Sequence, residues 1–492
     1  MSPVLGIDIG TSGSRALLLH DDGALLASAT ADHAPFTSPR TAWAEQDPGD
    51  WWRACQQAIK SVLSESGIAA DSIACVGLSG QMHGAVLLGA DDGVLRPSLI
   101  WCDQRTEAEC RWLDETIGRQ RLLDLTSNPA LTNFTLTKLL WVRTHEPGVW
   151  SRVRHVLLPK DYVRFRLSGE YAIDVADASG TLLLDVTRRC WSREMLDAME
   201  IDARVLPDVF ESPAICARVS RDAAVLTGLP AGTPIVAGAG DQAAGAIGLG
   251  IVRPGAVSAT IGTSGVVFAA TDRPATDPQG RIHTFCHAIP ERWHVMGVTQ
   301  AAGLSLRWFR DQLAAGVSYD QLTAEAALVP PGADEVLWAP YLMGERTPHC
   351  DPNARAALVG LAASHGRGHI VRAIMEGVAF SLRDTFSIFS ELGVPIGSVR
   401  LGGGGARSAL WRQIQADVYG HPVDTAADEG AAYGAAILAA VGIGRWPTVD
   451  AACDALVRGA ATTMPRPPVV TLMNERYSAY RRIYPALRAL QT

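Results

Sequence analysis

Short apolar runs broken by turn residues open the chain: residues 4–9, 15–20 and 24–31, with Asp21-Asp22-Gly23 as the reversal between the second and third. Runs of this length closed by such a turn predict a β-meander. The period then changes. Asp47-Pro48 has the form of a helix cap followed by a first-turn proline, and Trp51, Trp52, Cys55, Ala58, Ile59 and Val62 recur at helical spacing as far as about Glu65. A strand over 73–78 follows and runs into Ser79-Gly80-Gln81-Met82-His83-Gly84.

The same plan restarts in the second half, with an apolar strand over 234–239, a turn at Gly240-Asp241, a small-residue helix as far as Gly248 and a new strand over 256–261. Ile9-Gly10-Thr11-Ser12-Gly13 and Ile261-Gly262-Thr263-Ser264-Gly265 are identical, and each joins one apolar run to the next. Matched placement of the repeat predicts a duplicated lobe. The boundary is expected at 245–255, which divides the chain into 1–245 and 246–492. Further on, helical spacing over 370–392, a short strand over 398–401, a four-glycine turn over 402–405, helices over 406–419 and 430–441 and a last amphipathic helix over 474–490 complete an alternation of strands and helices. Such alternation is the mark of an α/β fold with mixed sheets.

A length of 492 residues points the same way, since one core rarely grows past about 250–300 residues. The 43 basic and 51 acidic residues give a net charge of −8 with no basic run to follow a phosphate backbone, so nucleic acid is not an expected partner. No basic-then-apolar leader and no apolar stretch of about 18 residues is present, so the expectation is a cytoplasmic protein with no membrane attachment. Nine cysteines are scattered without a C-x-x-C pair, which fits reduced thiols rather than a disulfide frame or a zinc site.

Four stretches carry candidate chemistry. Asp8 followed by Gly10-Thr11-Ser12-Gly13 sets a carboxylate at a strand end beside free backbone N–H groups and hydroxyls, suited to Mg²⁺ and phosphate or, alone, to an ordinary hairpin turn. Asp241 at a helix start is a candidate proton acceptor whose ionised form the helix dipole would favour, or a plain helix cap. The glycine turn before Ala406-Arg407-Ser408 allows close approach of a nucleotide or a bare tight turn; it is not a GxxxxGK[ST] loop, which argues against a P-loop ATPase. Gln81, Met82 and His83 offer two polar groups and a flexible apolar one for sugar hydroxyls, while His287, His294 and His349 are read as core, as are Trp51 and Trp52.

These residues resemble the FGGY family of carbohydrate kinases over nearly the whole chain. Residues 6–12 and 261–265 are similar to its two phosphate motifs, 356–361 with 369–376 to its C-terminal signature, and 138–142 to its other signature, from which Asn133 departs. The resemblance implies two ribonuclease H-like domains of the actin and hexokinase ATPase core with a cleft between them. It implies ATP as co-substrate, ADP as product, Mg²⁺ on Asp8 and a possible homodimer. Thr11, Ser12, Gly13, Gly262 and Thr263 would hold phosphates, and Gly404, Gly405 and Ser408 would border the adenosine. Residues 80–84, 158–162 and 344–349 are most similar to members acting on D-xylulose, which implies that Gln81, Met82, His83 and Gln242 face the ketose and Asp241 takes its proton. Gln242 stands where those members often carry Asn and glycerol-using members Gln, so another ketose, an alditol or glycerol stays open. A silent sugar sensor and an actin-like assembly protein are the readings outside this class.

Overall fold

The computed structural model describes residues 2–427 and 430–491. Its frame is two seven-stranded mixed sheets, and their strand directions repeat. In the first, Val4–Ile9 pairs antiparallel with Gly13–Leu19, which pairs antiparallel with Leu25–Asp32; on its other side Val4–Ile9 runs parallel to Val76–Gly80, and that strand parallel to Pro234–Val236. In the second, Gly255–Ile261 pairs antiparallel with Gly265–Thr271, which pairs antiparallel with Trp293–Thr299; on its other side lie Ile396–Gly402 and then Val423–Ala426, both parallel. Each sheet ends on an antiparallel edge strand beyond these, Ile215–Arg218 in the first and Gly459–Thr463 in the second. The duplication expected from the twin turns is therefore present in the hydrogen-bonding order.

Parallel central strands need both faces covered, and the sequence supplies the covers as helices between strands. Pro48–Ser66 buries Trp51, Trp52, Cys55, Ala58, Ile59 and Val62 on the first sheet, and Arg367–Glu391 buries a long apolar face in the second lobe. Asp47 accepts from Gly49 N and Gly67 closes the first of these helices in the left-handed region (φ 64°). No described helix is long and apolar enough to cross a membrane.

Small residues join the halves. Helix Ala431–Gly442 lies against both the first sheet and helix Asp241–Gly248, so close that a Cβ on Gly6 would come 2.1 Å from Ala432 O, one on Gly77 2.0 Å from Ala435 O, and one on Gly434 1.8 Å from Ala244 O. A late segment of the chain thus packs on the early sheet.

Two elements differ from the sequence expectation. The strand over 234–239 splits at Ala237 and Gly238, where Gly238 takes φ 75° against Leu78 O and frees the Ala237 carbonyl. The last helix is two, Pro467–Tyr480 and Ile483–Gln491, because Pro485 has no N–H to give to the carbonyl of residue 481. The four glycines also run through a 3-10 turn, Gly404–Ala406, before the next helix starts at Ala409.

Candidate active site

Three adjacent strand ends build the site. Asp8 lies across from Ser79 on one side and Arg15 on the other, and Gly240, the residue before Asp241, lies across from Gly80. Parallel strands therefore deliver Asp8, the 80–84 segment and Asp241 to one edge of the sheet. Ser79 Oγ donates to Asp8 Oδ1 at 3.0 Å, and among the described residues nothing donates to Oδ2. Burial raises the Asp8 carboxyl above the usual range, with Ser79 and Arg15 opposing.

Asp241 does not cap its helix: Gly240 occupies the cap position and no side chain fills that role. Among the described residues its only side-chain hydrogen-bond partner is the neighbouring amide, Gln242 Nε2 donating to Oδ1 at 3.3 Å. Burial first, and then the charge of Asp8, push it up to about 7. The helix dipole, expected from sequence to hold this group ionised at ordinary acidity, is outweighed, because desolvation and a facing carboxylate both penalise the charged form. Two buried carboxylates, the charge of one raising the proton affinity of the other, offer hard oxygens whose charge a divalent cation would offset, so the residues present fit Mg²⁺.

The residues expected from the sequence to face the sugar lie beside this pair. Met82 is buried against Gly240, where a Cβ would come 2.8 Å from Met82 Cγ. His83 has φ 69°, unusual for a side chain of its size, and its Nδ1 is 2.7 Å from Gly180 O. A carbonyl can only accept, so Nδ1 carries the proton and Nε2 keeps a lone pair for a hydroxyl donor. Burial and the nearby Lys138 hold His83 neutral, down at about 3. Gln81 turns inward: its amide donates to Gly10 O at 3.3 Å and to Gln46 Oε1 at 3.0 Å.

Both phosphate-type turns are formed. Gly10 N donates to Gly13 O at 3.0 Å and Gly262 N to Ser264 O at 2.9 Å. Thr11 and Gly13 are partly open, and Ser12, Gly262 and Thr263 are exposed. Gly403 (φ 71°) and Gly405 approach Ile261 so closely that a Cβ on either would sit within 2.7 Å of it, which brings the glycine run against the second turn. Gly404 is exposed, and Ser408 spends its hydroxyl accepting from Trp411 N as the cap of helix Ala409–Tyr419. A cavity of about 400 Å³ opens beside Gly403, Ala406 and Arg407, and Arg15 also lines it.

The sequence reading missed two sets of residues. Gln46 and Trp101 brace the first turn, Gln46 Nε2 donating to Thr11 O at 2.8 Å and Trp101 Nε1 to Thr11 Oγ1 at 2.9 Å. Behind the Asp241 strand lies a buried charge cluster: Asp161, Asp174 and Asp177 around Lys160, whose Nζ is 2.9 Å from Asp174, with Arg164 donating to the freed Ala237 O at 2.6 Å. Burial and the neighbouring carboxylates raise Asp177 well above the usual range, and Lys160 already fills the centre where a metal would sit. The sequence signal nearest to it was the stretch 158–162, read only for its similarity to members acting on D-xylulose.

Comparison with known proteins gives the same assignment from outside the site. The model of the FGGY family of carbohydrate kinases, N-terminal domain, matches residues 3–248, and that of the C-terminal domain matches 257–443. Similar curated proteins include the xylulose kinase of Bacillus subtilis, 39% identical across 100% of this chain and 98% of that protein, and the xylulose kinase of Escherichia coli, 40% identical across 89% of each. The crystal structure of a xylulose kinase from Brucella ovis has a TM-score of 0.93 to this fold at 36% identity, covering 99% of this chain and 100% of that one. With repeated sheets, twin turns and a carboxylate pair at their edge, the chain belongs to the FGGY family of carbohydrate kinases.

Proposed function

We propose that this kinase transfers the γ-phosphoryl group of ATP to the terminal hydroxyl of D-xylulose, giving D-xylulose 5-phosphate and ADP. The observation that carries the reading is the Asp8 and Asp241 pair set between the first phosphate turn and the Met82-His83 segment. Similarity across the full chain to xylulose kinases supports the choice of sugar.

In this mechanism His83 Nε2 accepts a sugar hydroxyl, Met82 packs on the carbon chain, and Gln242 helps hold the acceptor end beside Asp241. Asp241 orients the terminal hydroxyl and takes its proton as the new O–P bond forms and the bond to the β-phosphate oxygen breaks. A carboxylate raised toward neutrality is a stronger base than an ordinary aspartate, so position and basicity act together. Asp8 would hold Mg²⁺, which when bound would neutralise charge on the phosphate oxygens. Thr11, Ser12, Gly13, Gly262 and Thr263 give the phosphates N–H and hydroxyl donors, and Gly404, Gly405 and Ser408 border the adenosine. Residues 1–245 then form the sugar-binding domain and 246–492 the nucleotide-binding domain.

An ADP-coupled assay over D-xylulose, D-ribulose, xylitol and glycerol tests the reading. The expected result is ATP turnover that needs sugar, with the highest kcat/KM for D-xylulose. A tenfold preference for any other acceptor would reassign the substrate, and turnover indifferent to sugar would remove the kinase reading in favour of a sensor or assembly role.

A further inference from the structure

The side chain of Gln46 is committed on three sides. It sits in the two-residue strand Glu45–Gln46, paired antiparallel with Ser98–Leu99. The backbone before it is fixed by charge: Ala44 N donates to Asp103 Oδ2 at 2.6 Å, and Glu45 is bridged by Arg96 at 2.6 Å and Arg105 at 2.8 Å. From that base Gln46 Nε2 donates to Thr11 O, while Oε1 accepts from Trp51 Nε1 at 3.2 Å and from Gln81 Nε2 at 3.0 Å. Gln81 Nε2 also reaches Gly10 O.

Two buried amides thus connect the segment bearing Met82 and His83 to the carbonyls of the turn that receives phosphate. Each carbonyl they hold fixes the direction of the N–H groups on the same turn, because peptide planes are rigid. Phosphoryl transfer depends on in-line placement, where a displacement of about 1 Å costs about 10²-fold in rate.

We propose that Gln46 is a positioning residue for phosphoryl transfer, its amide coupling the placement of the sugar-side Gln81–His83 segment to the geometry of the first phosphate turn. The inference rests on the functional reading above and adds to it a residue that touches neither substrate.

The test measures kcat with both substrates saturating, the sugar Kd by isothermal titration without nucleotide, and the thermal midpoint, for Gln46→Met, Gln46→Glu, Gln81→Met and the Gln46→Met/Gln81→Met double variant. Gln46→Glu keeps an acceptor for Trp51 and Gln81 but turns an acceptor oxygen on Thr11 O in place of the donor, so it carries the test if Gln46→Met fails to fold. The expected result is a kcat at least tenfold lower for each Gln46 variant, with sugar Kd within threefold of the unaltered protein. The double variant should lose no more than the worse single one, since both amides serve one connection. Multiplicative losses, a kcat within threefold of normal, or a Kd that rises as much as kcat falls would each overturn it. If the unaltered protein binds ketose but releases no ADP with it, the functional reading falls first and this inference with it.

Discussion

The first and second Ile-Gly-Thr-Ser-Gly turns share five residues and a place between two antiparallel strands, yet among the described residues only the first adds side-chain partners to its backbone ones. Side chains and backbone together hold the first: Gln46 and Trp101 on Thr11, His33 Nε2 within 2.9 Å of Ser14 Oγ, and His33 N donating to Ser12 O at 2.9 Å. Backbone grips the second. Helix Gly303–Leu313 begins there, with Gly303 N donating to Gly262 O at 2.9 Å and Leu304 N to Thr263 O at 3.1 Å. The residue ahead of the turn differs as well. Asp8 faces Ser79 and Arg15, whereas Thr260 faces Gly402 and Val266. Identical turns thus sit in different settings, and only the first has a carboxylate ahead of it.

Removing that carboxylate should have the largest effect. Asp8→Asn and Asp241→Asn should each lower kcat by about 10²-fold or more while leaving the fold intact, with the circular dichroism spectrum unchanged. For Asp8→Asn the sugar Kd measured without nucleotide should stay near normal. An equal loss of sugar affinity would make Asp8 a structural residue and erase the asymmetry between the turns.

The backbone grip on the second turn predicts an intermediate effect. A Cβ on Gly303 would lie 2.4 Å from Gly262 O, so Gly303→Ala must push the turn or the helix aside. Overpacking of this kind costs about 1–3 kcal/mol, and the expected signs are a lower unfolding midpoint and a KM for ATP raised about tenfold, with the sugar Kd unchanged. Normal ATP kinetics would show that the second turn does not need its helix.

The smallest effect concerns acid stability. The strand leaving the second turn packs Phe268 against His287 and His294, both fully buried, whereas the first turn has His33 beside it. Burial lowers His287 from 6.5 to about 4, while the unfolded chain titrates near 6.5. Between those values the unfolded state binds the proton that the folded state refuses, so this contribution is complete above pH 6.5 and is lost as pH falls toward 4. At about 1.4 kcal/mol per unit the loss is about 3 kcal/mol. Urea unfolding between pH 7 and 4.5 measures it, and His287→Gln should flatten the slope. An unchanged slope would assign the acid sensitivity elsewhere.

Much of the frame was legible because its signals are local. The Asp-Gly turn between early strands, the Asp47-Pro48 helix start and the glycines of the two turns act over a few residues, and each formed where the pattern placed it. Gly238 and Pro485 were less legible: both sit in apolar surroundings that look continuous, and only a carbonyl pressing on Gly238 and a missing N–H at Pro485 break the element. Gln46 carried no signal at all, since one glutamine before a helix start resembles any other until Thr11, Trp51 and Gln81 close around it.

The sequence by itself determined the duplication and the mixed α/β class, and it singled out Asp8 and Asp241 as candidates, because period, glycine placement and residue type are properties of short stretches. Tertiary structure decided that Asp8 and Asp241 share one sheet edge, that Asp241 is not a cap, and that its carboxyl rises to about 7. Proton affinity and bond direction follow from burial and from charges brought close through space. Neither quantity exists until the strands have paired.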